Sequence, residues 1–291
     1  MNVAHEPAQL ERRPRAVAIG TFDGVHLGHR AVIGAAVAAG PGTATVLTFH
    51  PHPRTALSGN RVELISTLDR RLELLSACGV EDVLVVEFTP ELASLSPEEF
   101  ARDYLAAIGA EVVVAGTGFR FGRGRSGDVE LLSTLGFDAR QVPLVEGVSS
   151  TRIRQLAEAG DIEGAARLLG RPLEVDGTVV PGEQRGGTLG FPTANLLVDP
   201  DLLVPAFGIY AGAVGDRRAA ISIGVNPHYG GTERRIEAYL LDWSGDLYGD
   251  RLVVELWRRL RDERAFASEA ELVEQIARDV QETRSATSPV E

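Results

Sequence analysis

Near residue 172 the chain changes its rhythm, and that change constrains the fold more than any other feature. Before it, strand-length apolar runs alternate with longer stretches of helical period: "RAVAIG" (15–20), "TATVLTF" (43–49), "DVLVVEF" (82–88) and "EVVVAG" (111–116) are separated by segments such as "HRAVIGAAVAAG". Strands alternating with helices predict a parallel sheet covered on both faces. After it come only short β-rich runs, "LEVDGTVV", "TANLLV", "GIYAGAV", "RAAISIGV", "RIEAYLLDW" and "RLVVELW", punctuated by Gly, Pro, Asn and Asp. That spacing predicts a small antiparallel barrel. A helical pair over 149–172 joins the halves, with Gly160 and Gly170 at the helix ends and Pro172 closing the segment. Ser96-Pro97-Glu98-Glu99 and Ser268 with Glu271 are capping boxes, the latter opening a final helix. The expected organisation is a polar lead (1–14), an α/β domain (15–171), a barrel domain with its C-terminal helix (172–282) and a polar tail (283–291).

Charge removes several function classes. A formal net charge of −12 argues against general nucleic-acid binding, which needs a basic face. All 29 basic side chains are arginine, so the Gly-Lys-Ser/Thr ending of a Walker P-loop is excluded. Any phosphate chemistry must use a few concentrated arginines. The single cysteine, Cys78, forms no internal disulfide, which fits a reducing compartment. The opening residues carry no apolar signal core and no run reaches membrane-spanning length, so the expectation is a soluble, cytoplasmic protein without nucleic-acid or membrane partners.

Within that frame, "AIGTFDGVHLGH" (18–29) is a strand-to-helix junction, where ligands bind in open parallel sheets. His26 and His29, three apart, share a helix face beside the positive end of the helix dipole. Gly20, Gly24 and Gly28 allow a nucleotide to approach the backbone. Alone, the stretch would equally fit a glycine-rich turn with two solvated histidines. "VSSTRIR" (148–154) adds hydroxyls at Ser149, Ser150 and Thr151 and cations at Arg152 and Arg154, again at a helix start. "FRFGRGRSG" (119–127) adds three more arginines in a loop. Its "GRGRSG" matches the dinucleotide fingerprint G-x-G-x-x-G, but "TGFRF" separates those glycines from the strand, so the tight turn that motif requires is missing. Four of the six histidines, His26, His29, His50 and His52, fall close together, yet "HPHP" is stiffened by proline and no acidic partner has zinc spacing.

In the second half, "GFPTAN" (190–195) puts Thr193 and Asn195 on one face of a strand as hard oxygen donors of the kind Mg²⁺ takes together with substrate phosphates. The glycine-rich stretch before it is a candidate flap over ATP. By composition alone the segment is also an ordinary hairpin and strand.

Taken in order, "GTFDGVHLGH", "TFHPHPRTAL", "GFRFGRGRSG" and "VSSTRIR" resemble the adenylyltransferase module of the prokaryotic bifunctional riboflavin kinase/FAD synthetase family, one of the HxGH nucleotidylyltransferases. "GFPTAN", "GVNPHYGG", "RIEAYLLDW" and "DLYGDRLVVELWRRLRDERAF" resemble its kinase module, so the likeness runs over about residues 15–281. The resemblance implies an HxGH-type parallel-sheet domain followed by the barrel, with riboflavin, FMN, FAD and ATP as partners and Mg²⁺ as cofactor. It implies catalytic roles for Glu237, His26 and His29. ATP or phosphate contacts are implied at Gly20, Phe22, Asp23, Gly24, Ser150, Thr151, Arg154, Gly182, Arg185, Gly190, Pro192 and Thr193. Flavin contacts are implied at Phe119, Arg120, Phe121, Arg261, Glu263 and Phe266, and Mg²⁺ contacts at Thr193 and Asn195.

The chemistry of the two reactions is consistent with such a division. Phosphorylating a primary alcohol benefits from a general base, the role implied for Glu237. Adenylylating an already ionised phosphate needs alignment and charge stabilisation, which the histidine pair can supply. Five positions in four places depart from the family pattern: Gly118 stands where Asp or Asn is usual, His50 replaces an acidic residue, Gly187 replaces a frequent Arg, and His228-Tyr229 replace Thr-Phe. Gly118 motivates a rival reading, a riboflavin kinase with an impaired adenylyltransferase half. A non-catalytic flavin-binding regulator is a third, opposed by the retention of Glu237, Thr193 and Asn195.

Overall fold

The computed structural model describes residues 1–40, 42–59, 61–182, 185–225 and 234–290, which form two compact units. The first comprises Met1–Val62 and Leu68–Ser149, the second Glu63–Thr67 and Ser150–Glu291.

In the first unit, β1 (Asn2–Ala4), β2 (Arg15–Ile19), β3 (Thr43–His50), β4 (Asp82–Glu87), β5 (Ala110–Gly116) and β6 (Asp138–Val142) form one sheet in the order β1-β4-β3-β2-β5-β6. Every pairing in it is parallel. Successive strand residues serve opposite faces. Ala18, Val46, Val83, Val85 and Val114 pack against Val32 and Ile33 of α1 (Leu27–Val37) and Leu74 and Leu75 of α2 (Leu68–Ala77). Val17, Leu47, Leu84, Val86 and Val113 pack on the other side with Phe100, Leu105, Ile108 and Leu132. Both faces are covered, which is why these strands read as nearly continuous apolar runs.

The four strands expected here are present, and two edge strands join them. Residues 2–4, within the expected polar lead, pair with β4, and Ala4 and Leu10 are buried. β6 is mostly exposed and polar. An edge strand bonds a neighbour on one side only and need not be apolar, so hydrophobic patterning misses it. Arg15 is buried; it donates to Asp82, to Thr45 Oγ1 (3.0 Å) and to the Ile108 carbonyl (2.9 Å). Burial pushes the Asp82 carboxyl up, but hydrogen bonds from Arg15 and Arg13 outweigh it and hold the group below its ordinary value.

In the second unit, β7 (Leu173–Val180), β8 (Ala194–Val198), β9 (Gly208–Val214), β10 (Arg217–Val225), β11 (Arg234–Leu240) and β12 (Arg251–Arg261) close into an antiparallel barrel in the order β10-β11-β8-β7-β12-β9. Closure leaves no open sheet edge. The helical pair, α3 (Ser150–Glu158) and α4 (Ile162–Leu169), belongs to this unit, whereas the sequence rhythm groups it with the α/β half. Ile153, Ala157, Ile162, Ala165 and Leu169 join Leu173, Val175 and Leu256 in the barrel core. So does Ile65: Leu64 and Leu202 form a parallel bridge, and Thr67 Oγ1 donates to Asp176 at 2.5 Å. The final helix, α5 (Glu269–Ser285), is capped by Ser268, which accepts from the Glu271 backbone N–H at 3.2 Å. It runs past the expected start of the tail, because Thr283 is buried and anchored to the Asp279 carbonyl (2.8 Å).

Candidate functional site

The first unit presents its candidate site at the carboxyl end of β2. From β2 the sheet grows one way through β3 and β4, then resumes on the other side with β5. A crevice forms at such a switch point, and the GTFDGVHLGH turn leaves the strand there.

The turn is unusual in its backbone. Phe22 (φ 49°), Gly24 (φ 77°) and Val25 (φ 40°) are all left-handed. For two bulky residues that costs about 1–2 kcal/mol each. Burial offsets it, since the side chains of Phe22 and Val25 are anchored in the core beside Ile33 and Val46. The turn delivers His26 as the N-cap of α1, its Nδ1 accepting from the His29 backbone N–H at 3.2 Å. A neutral ring accepting at Nδ1 carries its proton on Nε2. The His26 and His29 rings stack with centroids 3.5 Å apart and planes within 15°, and Phe22 meets His29 edge-on at 5.3 Å. The two rings therefore lie against each other, His26 as the extended N-cap and His29 within the first turn of α1. Gly28 lies close against them: an added Cβ would sit 3.2 Å from the His26 ring, a tight contact that would press on the stacked pair. Gly20, Asp23 and Gly24 complete the turn, with Asp23 buried.

Phe119, Arg120 and Phe121 follow β5 on the far side of the switch point. Phe121 is buried between Phe100 and Phe119, with ring centroids 5.7 Å from each, and Arg120 pairs with Asp128 at 2.7 Å. Phe119 is the half-buried member of the pair, carried by Phe121 beneath it. The glycines of "GRGRSG" lie in an irregular loop with one 3₁₀ turn at Arg123–Arg125, well beyond the end of β5, and no tight dinucleotide turn exists there. Gly118 is left-handed (φ 82°) with open space around it. Asn and Asp are the side-chain-bearing residues that best tolerate that conformation, so the family's usual residue and this glycine meet the same backbone demand. Only the polar side chain is lost. Ser150, Thr151 and Arg154 lie in the second unit, on the first turns of α3, where Arg154 Nε donates to the Glu63 carbonyl at 2.5 Å.

The second unit holds a pocket of ≈ 320 Å³. Thr193, Glu237, Arg261, Glu263 and Phe266, proposed from widely separated stretches, all line it. Period-two alternation along β11 explains how Arg235 and Tyr239 arrive beside Glu237. Glu237 is largely buried and pairs with Arg235 at 3.1 Å. Asn195 sits directly opposite Glu237 in the β8–β11 register, and Gly182 packs on it so closely that a Cβ would fall 2.2 Å from its amide nitrogen. Gly190 is left-handed (φ 87°) and hands the chain through Phe191 and Pro192 to Thr193. Arg185 begins a short helical turn, Arg185–Thr188; its side chain, like the His228-Tyr229 pair, lies outside the described residues.

Glu263 reaches over β10 at Gly224, where a Cβ would lie 2.1 Å from its carboxylate. Burial pushes its carboxyl up, with Arg235 and Arg261 pulling the other way. The element that sequence reasoning missed is Asp279. Buried on α5, it accepts from Arg261 Nε (3.0 Å) and Nη2 (2.7 Å) and from Gln275 Nε2 (2.9 Å), fixing Arg261 at the pocket wall. Arg264 covers the Phe266 ring at 4.8 Å. An aspartate at a helical core position, next to apolar Val280, was the available signal. Among the described residues no three His, Cys, Asp or Glu side chains cluster as a metal site.

A switch-point turn bearing stacked histidines is joined in one chain to a barrel whose pocket combines a carboxylate, arginines and an aromatic ring, the layout of a two-part enzyme. Comparison with known proteins agrees. Residues 8–154 match the FAD synthetase family and residues 169–287 the riboflavin kinase family. Bifunctional riboflavin kinase/FMN adenylyltransferases of Listeria monocytogenes and Bacillus subtilis are 36% and 35% identical to the chain, covering 95% and 96% of it and 94% of their own lengths. The Escherichia coli K12 enzyme is 35% identical, over 94% of this chain and 93% of its own. A solved Streptococcus pneumoniae structure described as a macrolide-efflux protein superposes with a TM-score of 0.87 at 33% identity, covering 98% of this chain and 99% of that one. No helix among the described residues is long and apolar enough to cross a membrane. The chain belongs to the bifunctional riboflavin kinase/FMN adenylyltransferase family, its FAD synthetase half first and its riboflavin kinase half second.

Proposed function

We propose that the second unit transfers the γ-phosphoryl group of ATP to the primary alcohol of riboflavin, giving FMN and ADP, and that the first transfers AMP from a second ATP to FMN, giving FAD and pyrophosphate. The observation that carries the reading is the gathering of Thr193, Glu237, Arg261, Glu263 and Phe266 around one pocket. In it Glu237 takes the proton of the attacking hydroxyl, and Phe266 and the arginines flank the flavin. Thr193 and Asn195 supply two neutral oxygen donors, too few to hold Mg²⁺ alone but suited to one that also takes ATP phosphates. When bound there, Mg²⁺ would neutralise phosphate charge. In the first unit, His26 and His29 donate to the phosphates as charge passes to pyrophosphate, with the turn at Gly20, Phe22, Asp23 and Gly24 admitting them. Phe119 offers a flavin-stacking face held by Phe121, and Arg120 flanks it. Ser150, Thr151 and Arg154 are helix-start phosphate contacts in the same scheme, and Gly182, Arg185, Gly190 and Pro192 belong to the ATP flap of the kinase. A cytoplasmic location, where ATP is made, accords with this reading.

The test is to incubate the purified chain with riboflavin, ATP and Mg²⁺ and separate the flavins by chromatography over time. FMN followed by FAD is expected. Absence of FMN would overturn the kinase assignment, and FMN without FAD would overturn the adenylyltransferase assignment.

A further inference from the structure

Beneath the His26 turn lies a cation that neither the histidine motif nor its chemistry accounts for. Arg71, on α2, is 2% exposed, one of the most deeply buried large side chains in the chain. A guanidinium remains charged under all ordinary conditions, and burying one is unfavourable unless its surroundings are arranged to receive it. Here they are. Nη1 donates to the Thr21 carbonyl at 3.1 Å and to the Phe49 carbonyl at 3.2 Å. Burial holds the guanidinium below its ordinary value, and the buried Asp23 carboxylate offsets only part of that. The Thr21 carbonyl also accepts from Thr48 Oγ1 at 3.0 Å, and Thr48 is wholly buried.

Thr21 is the first residue after Gly20 and immediately precedes the left-handed Phe22. A carbonyl gripped by two buried donors fixes the peptide plane that sets the path of the next residues. Those residues adopt conformations they would leave if released. Through its second bond, Arg71 ties the same point to the end of β3, just before His50. The turn is thus clamped at the Thr21 carbonyl, through buried side chains of α2 and β3. We propose that Arg71, acting with Thr48, is a positioning residue for adenylyl transfer: it holds the Thr21 carbonyl and thereby the strained turn that aims the His26–His29 pair. The inference rests on the adenylyltransferase reading above. Arg71 touches no substrate in this scheme; its effect passes through the backbone to groups that act most strongly in the transition state. Its loss therefore reduces kcat more than it raises KM.

The riboflavin kinase activity of the same molecule provides an internal control, since Arg71 and Thr48 lie in the first unit and the kinase pocket in the second. Arg71→Met, Arg71→Lys and Thr48→Val should be assayed for FAD formation from supplied FMN, with KM for FMN and ATP, and for FMN formation from riboflavin. The expected result is a fall of at least tenfold in kcat for FAD formation in Arg71→Met, with both KM values within threefold of the native chain and FMN formation within twofold. Arg71→Lys, whose ammonium can still bridge two carbonyls, should recover most of the loss. Thr48→Val should show the same kcat-selective defect at smaller size. Retention of FAD formation by Arg71→Met, failure of lysine to rescue, or a loss residing wholly in KM would overturn the proposal. If Arg71→Met does not fold, Thr48→Val and Arg71→Lys decide it: native-like kcat in Thr48→Val refutes the shared clamp. A native chain that makes no FAD at all would refute the underlying adenylyltransferase reading instead, and so is distinguishable from failure of the clamp.

Discussion

Replacing Ile65 by alanine should weaken the kinase half of the chain although Ile65 lies inside the stretch that matches FAD synthetase. The side chain is 3% exposed and packs in the barrel core beside residues of α3, α4 and the strands. Three carbons are removed, worth about 0.8 kcal/mol each, or about 2.4 kcal/mol. The cavity left behind raises the cost to about 3–4 kcal/mol, within the usual range for such truncations. For a unit of roughly 150 residues, 1 kcal/mol moves the midpoint by about 2–4 °C, so a fall of about 6–16 °C is expected. The assay is to heat aliquots to graded temperatures, cool them, and measure residual FMN formation from riboflavin and residual FAD formation from supplied FMN. Ile65→Ala should move the first curve down and leave the second in place. Leu75→Ala, which opens the fully buried core of the first unit, should do the reverse. If Ile65→Ala shifts the FAD curve as much as the FMN curve, or shifts neither, the assignment of residues 63–67 to the barrel core is wrong.

Glu237→Gln should cut FMN formation by about 10²–10⁴-fold, the usual worth of a general base, while FAD formation from FMN survives; equal loss of both would refute separate sites. His29→Ala should lower FAD formation by about 10²–10³-fold and spare the kinase, and unchanged FAD synthesis would remove its role. Asp82→Asn strands Arg15 in the core and should destabilise the first unit by about 3–5 kcal/mol at neutral pH, read by denaturant unfolding. Because Asp82 binds its proton more weakly folded than unfolded, its contribution is present above the ordinary carboxylate pKa, about 4, and disappears as pH falls through the lowered folded value. The native first unit should therefore lose stability in that acid window, and the Asn variant should show a shallower dependence there.

Local pattern carried much of the architecture. The apolar runs from "RAVAIG" to "EVVVAG" became adjacent parallel strands because both faces of that sheet are covered, and a fully buried strand must be apolar throughout. The short runs after residue 172 became the barrel, and the Ser268 capping box began α5 as its chemistry requires. The sequence by itself also placed His26 beside His29, because residues three apart at a helix start are neighbours by geometry alone. The strand-face alignment expected for Thr193 and Asn195 is not what brings them near the site: Thr193 lines the barrel pocket just before β8 begins, and Asn195 lies within β8, opposite Glu237. What it could not determine were relations between segments distant in the chain. Glu237, Arg261, Glu263 and Phe266 meet Thr193 only because the barrel closes in its particular order. Asp279 fixes Arg261, Arg71 supports Thr21, and Ile65 leaves its own half to fill the core of the other. Even where a residue stands out, as Asp279 does at a core position of α5, its partner leaves no periodic trace, because burial and ion pairing depend on which surfaces meet in space. Tertiary packing alone makes that choice.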